Sequence, residues 1–269
     1  MTEQQTHKAM ATKVILPTRG LLYDGLIPGG EVTLTPMTTR EEEVLSSAGG
    51  KPLAKIQMMI DQCVTLPDAC NEIIPGSNPP KKRFTLMDLT VADRFYLLIG
   101  IRILSFGGTY KFRHKCGDCK AKFWHELELG ELDYKDFDEG ADVVEPFQIA
   151  LPHCGALVDF RLLRGKDEIA VDKYADRELK RGPTHGKNPA YTYQLARHIV
   201  RINGDDVDIL AAKRFVEAPL VSGDSLALSN AVQKADCGYN LDLEFDCPKC
   251  DEMILTPMPW SAEFFRPTA

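Results

Sequence analysis

Hydrophobic and polar positions along the chain alternate with two periods, and the switches between them outline the elements. Residues 31–35, Glu-Val-Thr-Leu-Thr, alternate with period two and predict a half-buried strand after the Gly29-Gly30 turn. A helix is expected next: Thr38 or Thr39 with Glu41 and Glu42 three positions on has capping-box spacing, and Gly49-Gly50 would end it. From Pro52 a second helix carries Leu53, Ile56, Ile60 and Cys63 on one stripe. Prolines 67, 75, 79 and 80 break residues 66–82 into loop. Residues 85–106 form the most apolar helical pattern, with Met87, Leu89, Phe95, Leu97, Leu98, Ile99, Ile101 and Leu104 spread nearly all round the axis; this predicts the central core helix, stopped at Gly107-Gly108.

Two strand-like stretches follow within 110–129, joined at Cys116-Gly117-Asp118-Cys119. Nine of the twenty residues in 126–145 are acidic and only Lys135 is basic, so this stretch reads as a solvated connector. Residues 147–151 and 156–163 then suggest paired strands, followed by helical patterns near 166–180, 190–200, 209–218 and 224–235. Residues 240–245 and 253–256 flank Cys247-Pro248-Lys249-Cys250 as a second strand, knuckle and strand unit, and an aromatic tail closes the chain. The class expected is α+β: a mainly helical body with small antiparallel β-hairpins, two of them forming a split four-cysteine zinc ribbon. The organisation expected is an N-terminal extended arm and helical domain (1–109), a first knuckle hairpin (110–130), an inserted mixed α/β region (131–237), and a second knuckle hairpin with the aromatic tail (238–269).

The knuckles carry the strongest chemical signal. A two-residue spacer in a tight turn aims both sulfurs of a pair at one ion, so Cys116, Cys119, Cys247 and Cys250 can supply a tetrahedral thiolate site for structural Zn2+. The 127 residues between the pairs exceed a compact ribbon's spacer. Closing such a loop costs about 4–5 kcal/mol of chain entropy, whereas structural zinc returns about 10–16 kcal/mol. A closed set of four sulfurs leaves no open position for metal catalysis. His114, His125, His153 and Cys154 are available as substitute ligands, and Cys63, Cys70, Cys154 and Cys237 read as unpaired thiols, most simply buried.

Composition narrows the function classes. The 269 residues are 44% hydrophobic and carry a net charge of -7, which opposes a general nucleic-acid coat. The longest strongly apolar run, 96–101, falls far short of the roughly 20 residues that span a bilayer, and the polar first ten residues lack a secretory signal's apolar stretch. A cytosolic protein with no membrane partner is therefore expected. No zinc-protease, nucleophile-elbow or dinucleotide fingerprint occurs, and Gly182-Pro183-Thr184-His185-Gly186-Lys187-Asn188 fails the spacing of a phosphate loop. Neither an enzyme nor a small-molecule substrate is expected. Arg161, Arg164, Lys180, Arg181, Lys187, Arg197 and Arg201 could face an acidic partner or phosphate, with ordinary solvation the simpler account. Trp260, Phe264, Phe265 and Arg266 place aromatic area near the end of the chain, to fold back on the body or to anchor a neighbour.

Several motifs fall in a recognisable order. Leu16-Pro17-Thr18-Arg19-Gly20-Leu21-Leu22-Tyr23, then Met37-Thr38-Thr39-Arg40-Glu41-Glu42-Glu43-Val44-Leu45, resembles the opening of baseplate proteins of contractile-tailed phages. Asp93-Arg94 to Arg102, Ser105-Phe106-Gly107 leading into Cys116 and Cys119, is similar to their middle section; Asp224-Ser225-Leu226, Gly238, the second knuckle and Phe264-Phe265-Arg266-Pro267 are similar to their close. Within that group the motifs resemble those of the hub and hub assembly proteins of T-even-like phages. The resemblance implies a structural or assembly component of the tail baseplate hub, working in the host cytoplasm during assembly or retained in the virion tail, with other tail and baseplate proteins as partners. Leu16, Pro17, Leu22, Tyr23, Trp260, Phe264, Phe265 and Arg266 are the expected partner contacts. The alternatives are a zinc-ribbon nucleic-acid-binding factor, motivated by the knuckles and the basic 181–187 loop, and a Cys-x-x-Cys thiol oxidoreductase.

Overall fold

Thr12–Ile15 (β1) and Glu31–Leu34 (β2) open the fold as an antiparallel pair, and Thr39–Ser46 (α1) and Pro52–Cys63 (α2) lead to Val64–Thr65 (β3), which adds to the free side of β2. Val91–Phe106 (α3) feeds the hairpin of Thr109–Lys115 (β4) and Lys122–Glu128 (β5), followed by Tyr134–Lys135 (β6), Phe147–Ala150 (β7) and Leu157–Phe160 (β8). Gly165–Arg181 (α4) and Pro189–His198 (α5) precede Ile199–Ile202 (β9) and Asp205–Asp206 (β10); Ile209–Glu217 (α6) and Ser222–Ala235 (α7) complete the helices. Gly238–Tyr239 (β11) pairs with β6, and Asp242–Asp246 (β12) with Met253–Pro257 (β13) forms the last hairpin. The computed structural model describes residues 11–46, 52–182, 188–218, 220–260 and 264. Among them every strand pairing is antiparallel and no helix is long and apolar enough to cross a membrane. The class is α+β, with seven α-helices and five small sheets among the described residues.

Helix α3 lies at the centre of the first core, where Leu97, Leu98, Ile99 and Ile101 are buried with Leu16, Leu34, Met59, Ile60 and Tyr110. It starts at Val91 rather than near residue 85. Asp88 accepts from the backbone and hydroxyl of Thr85 and turns the chain, and Thr90 caps the helix by accepting from the Asp93 N–H at 3.2 Å. The Leu86 and Leu89 pattern continues the helical period, but those side chains are buried from a turn. A second core joins Leu151, Val158, Phe160, Leu195, Ala196, Ile199 and Leu228 between the β10-β9-β8-β7 sheet and helices α5–α7. Helix α5 ends at His198 rather than near 200, because Ile199 and Val200 are β-branched and pass into β9 beside β8.

Polar groups lock these parts together. Asp93 is fully buried at the start of α3, where it accepts from the Thr18 N–H at 3.1 Å, the Thr18 hydroxyl at 2.6 Å and the Tyr23 hydroxyl, which itself accepts from the Thr90 N–H. Burial pushes the Asp93 carboxyl above its usual range despite these donors. The approach is so close that a Cβ on Gly20, at φ +73, would lie 2.0 Å from the Ile27 carbonyl. Residues 12–34 are thus folded into the body; residues 1–10 of the expected arm lie outside the described residues, as does the Gly49-Gly50 stop.

The acidic stretch 126–145 is also more than a solvated connector. Leu129 and Phe137 are buried, Asp136 pairs with Arg19, the Phe137 N–H donates to the Pro17 carbonyl, and β6 pairs with β11. Two apolar anchors and an ion pair suffice to tie down a segment whose composition is otherwise that of solvated chain.

Arginines and carboxylates form the strongest polar knot at the start of α4. Asp167, fully buried, receives Arg161 at 2.6 Å, Arg197 and the Arg164 backbone N–H at 2.9 Å; Arg164 reaches Glu145 and Arg94 reaches Glu168. Burial alone would raise the Asp167 pKa, but its Arg161, Arg164 N–H and Arg197 partners outweigh it and hold it at about 2. Its folded value is below its unfolded one, so it stabilises the fold above about pH 4, and that contribution disappears as pH falls towards 2. Asp167→Ala should cost about 3 kcal/mol in urea denaturation at pH 7, with a much smaller difference from the parent near pH 2.

Candidate metal centre

Each knuckle is built by its own hairpin. The Cys116 N–H donates to the Ala121 carbonyl and the Cys247 N–H to the Glu252 carbonyl, both at 2.9 Å. The residue after the second cysteine of each pair, Lys120 or Asp251, takes a left-handed conformation at φ 60 or 55 and turns the chain back. The correspondence extends outward: His114 and Phe245 sit two residues before their knuckles, Phe123 and Ile254 four residues after, and Phe123, Phe245 and Ile254 pack around the sulfurs. The two hairpins therefore present the same local geometry to a shared centre.

At that centre the Sγ atoms of Cys116, Cys119, Cys247 and Cys250 all lie within 4.8 Å of one another. Two close approaches cross between knuckles, Cys116 to Cys250 at 3.8 Å and Cys119 to Cys247 at 3.7 Å. A regular tetrahedron with metal–sulfur bonds of about 2.3 Å has sulfur–sulfur edges of about 3.8 Å. These contacts match such edges and are far longer than a disulfide bond of about 2.05 Å. Cys116 and Cys247 are buried while Cys119 and Cys250 are partly exposed, so each hairpin gives one inner and one rim ligand. Four thiolates with this geometry fit a single tetrahedral thiophilic ion.

Local electrostatics favour a cation. The Lys249 N–H, aimed at the Cys247 sulfur, leads the groups that bring its pKa down to about 7 against the effect of burial. Cys250 responds the other way: the Glu252 N–H favours its thiolate, but desolvation and its contacts with Cys119, Cys247 and Cys116 outweigh this and raise it to about 12. Packed sulfurs cannot all ionise without a compensating positive charge.

The clasp is coupled to the body through aromatic rings. Phe245 stacks on His125 with centroids 3.9 Å apart and meets Phe112 and His114 edge-on. Arg102, buried in α3, donates to the carbonyls of Gly107 at 2.6 Å and Thr109 at 3.0 Å and fixes the angle at which β4 leaves the helix. The Tyr110 hydroxyl donates to the Pro259 carbonyl at 2.6 Å, linking the first hairpin to the chain after the second.

A family model described as T4 bacteriophage base plate protein matches residues 21–173, more than half of the chain. The chain belongs to that family. As a baseplate protein it is a phage structural component whose partners are other phage structural proteins, and the family points to a non-enzymatic role in the tail baseplate. The match includes Cys116 and Cys119 and stops within α4, so the second knuckle lies beyond it. No curated protein and no solved structure matches the chain.

The other sequence-predicted residues of this baseplate protein fall in different places. His114 and His125 both pack on the Phe245 ring rather than joining the four-ligand set, and burial, followed by the neighbouring His114, lowers the His125 pKa. His153 and Cys154 lie at the start of α7, where their backbone N–H groups donate to Asp224. Cys63 and Cys70 are buried thiols, Cys63 raised to about 12 by burial, whereas Cys154 is exposed. Leu16, Pro17 and Tyr23 are buried in the protein's own core and Leu22 is half-buried. Trp260 packs on Phe95 of α3 at 5.1 Å and on Phe264 at 4.9 Å, and Phe264 is buried edge-on to Tyr110; Phe265 and Arg266 lie outside the described residues. The arginines that could have faced phosphate are paired internally: Arg161 and Arg197 with Asp167, Arg164 with Glu145, Arg181 with Glu178, Arg201 with Asp206.

Sequence reasoning missed the matched −2 and +4 positions around the knuckles, three of them rings and the fourth Ile254. Their signal was present in the alternation of His114, Phe123, Phe245 and Ile254 about the cysteines. Cys116→Ser and Cys247→Ser should each lower the melting temperature by about 5 °C or more in differential scanning calorimetry. Cys154→Ser, at an exposed thiol outside the cluster, should leave it within about 1 °C.

Proposed function

We propose that this baseplate protein works in the hub region of a contractile tail, as a rigid piece held together by one structural Zn2+ on Cys116, Cys119, Cys247 and Cys250. The observation that carries the zinc reading is the set of four sulfurs within 4.8 Å, with inter-knuckle contacts near a tetrahedral edge. Zinc, bound there, would supply a closed four-coordinate anchor and no reactive position. The residues themselves do the rest: β4 and β5 carry one ligand pair, β12 and β13 the other, and the aromatic cluster transmits their fixed spacing to α3.

The hub assignment is supported by the order of motifs that resemble those of T-even-like hub assembly proteins, in a chain whose family is that of the T4 base plate protein. The function of such a piece is geometric. Clasping residues 116–119 to 247–250 makes one surface from segments remote in sequence, and a docking surface that is already ordered loses less entropy on association. Assembly takes place in the host cytoplasm, before or as the tail is completed. A thiol oxidoreductase is disfavoured by the placement of both cysteine pairs in strand turns rather than at helix starts.

Purified protein should contain one zinc per chain by elemental mass spectrometry, and loading should release protons as the thiols ionise. A tagged copy expressed during infection should enter tails and cross-link to central baseplate proteins. Metal-free protein with unchanged stability would remove the clasp, and cross-links confined to the baseplate periphery would remove the hub assignment.

A further inference from the structure

The two cysteine hairpins are each only two strands wide, and their edges border a common cleft. In an antiparallel pair, hydrogen-bonded and non-hydrogen-bonded residue pairs alternate, and the latter turn their N–H and C=O groups outward. The Cys116 N–H to Ala121 carbonyl bond and the Leu129 N–H to Gly108 carbonyl bond fix this phase for the first hairpin. Glu126 and Glu128 of β5 therefore aim their backbone groups away from β4. The Cys247 N–H to Glu252 carbonyl and Met258 N–H to Leu241 carbonyl bonds do the same for the second hairpin, and leave Asp242 and Glu244 of β12 facing away from β13. Residues 126–128 and 242–244 line one cleft of about 440 Å³, and no backbone hydrogen bond joins β5 to β12 among the described residues.

Charge selects what such an edge accepts. Glu126, Glu128, Glu131, Asp133, Asp242 and Glu244 line the cleft and no basic residue does. Lys111 pairs with Glu126 at 2.7 Å and the Thr109 hydroxyl donates to Glu128, but no described cation lies within ion-pair distance of Glu131, Asp133, Asp242 or Glu244. Charged residues on an edge ordinarily guard against unwanted pairing. A wholly acidic guard repels neutral and acidic strands and admits a basic one, and strand addition to a free edge is a common way of capturing an extended segment. Leu127, Leu243 and Leu255 give the cleft an apolar lining between the carboxylates.

We propose that this cleft is a docking site for an extended, lysine- or arginine-bearing segment of another protein, which adds as a short strand on the outward-facing backbone groups of Glu126, Glu128 and Glu244 and the carbonyl of Asp242, whose N–H is already donated to the Asn240 side chain at 3.1 Å. Three residues of each edge span about 10 Å, room for a strand of three or four residues. The inference rests on the baseplate reading only for the source of the segment.

The test uses the full-length, zinc-loaded protein and a labelled decapeptide of alternating lysine and threonine. Fluorescence anisotropy should show binding that weakens as salt rises from about 50 to about 500 mM. The surface variant Asp242→Asn/Glu244→Gln should bind about tenfold more weakly. The same peptide methylated at every second backbone amide should bind poorly in at least one of the two registers, and amide hydrogen exchange at residues 126, 128 and 244 should slow when the parent peptide is bound. Equal binding by the variant, or equal binding of the peptides methylated in either register with no slowed exchange, would overturn the proposal. So would competition by spermine or magnesium at equal charge concentration, since that reveals only counter-ion attraction. Baseplate incorporation without peptide binding would sink the cleft alone; peptide binding by a protein absent from baseplates would sink the baseplate reading alone.

Discussion

Four sulfurs from two hairpins, 127 residues apart in sequence, meet within the reach of one coordination sphere, and the rest of the fold is arranged around that closure. The intervening chain supplies its own support. Strands β6 and β11 pair just inside the two hairpins, and Tyr110 bonds across to Pro259, so the ends of the loop meet through backbone and side-chain contacts as well as through the cysteines. This lowers the entropic cost that a metal alone would have to offset. It also explains why the ligand geometry is already near tetrahedral: two copies of the same turn, held by a shared aromatic cluster, converge on one point.

A second constraint governs the body. Charge is buried at several points, with Asp93, Arg94, Arg102, Arg164, Asp167 and Asp224 all nine-tenths buried or more. Several of their partners come from distant segments: Thr18 and Tyr23 for Asp93, Arg197 for Asp167, the backbone at residues 153 and 154 for Asp224. Buried polar groups that are satisfied in only one arrangement penalise alternative packings. In a structural component of a baseplate, such specificity is more useful than additional apolar area.

How far the sequence revealed this depends on the range of each signal. The knuckles were legible because cysteine spacing encodes local turn geometry, and α3 was legible because sixteen residues of apolar pattern leave little alternative. Its start was misplaced because Leu86 and Leu89 continue the helical period while Thr85, Asp88 and Thr90 spend their side chains on turn and cap bonds. The acidic stretch conceals Leu129 and Phe137, whose burial depends on segments outside it: the Leu129 N–H donates to the Gly108 carbonyl, and the Phe137 N–H to the Pro17 carbonyl 120 positions away. The motif Leu16 to Tyr23 stood out as a pattern without a reason. The structure supplies one: Thr18 and Tyr23 hold Asp93, Arg19 holds Asp136, and Gly20 allows the backbones to touch. Residues that seemed suited to a partner are, in Leu16, Pro17 and Tyr23, packed inside the chain itself.

The central claim is that one ion joins the two knuckles. X-ray absorption at the zinc edge of the purified protein tests it most directly. The account predicts four sulfur neighbours at about 2.3 Å and no nitrogen or oxygen in the first coordination sphere. A spectrum showing imidazole or water ligands, or a protein that holds no zinc when prepared under reducing conditions, would contradict it.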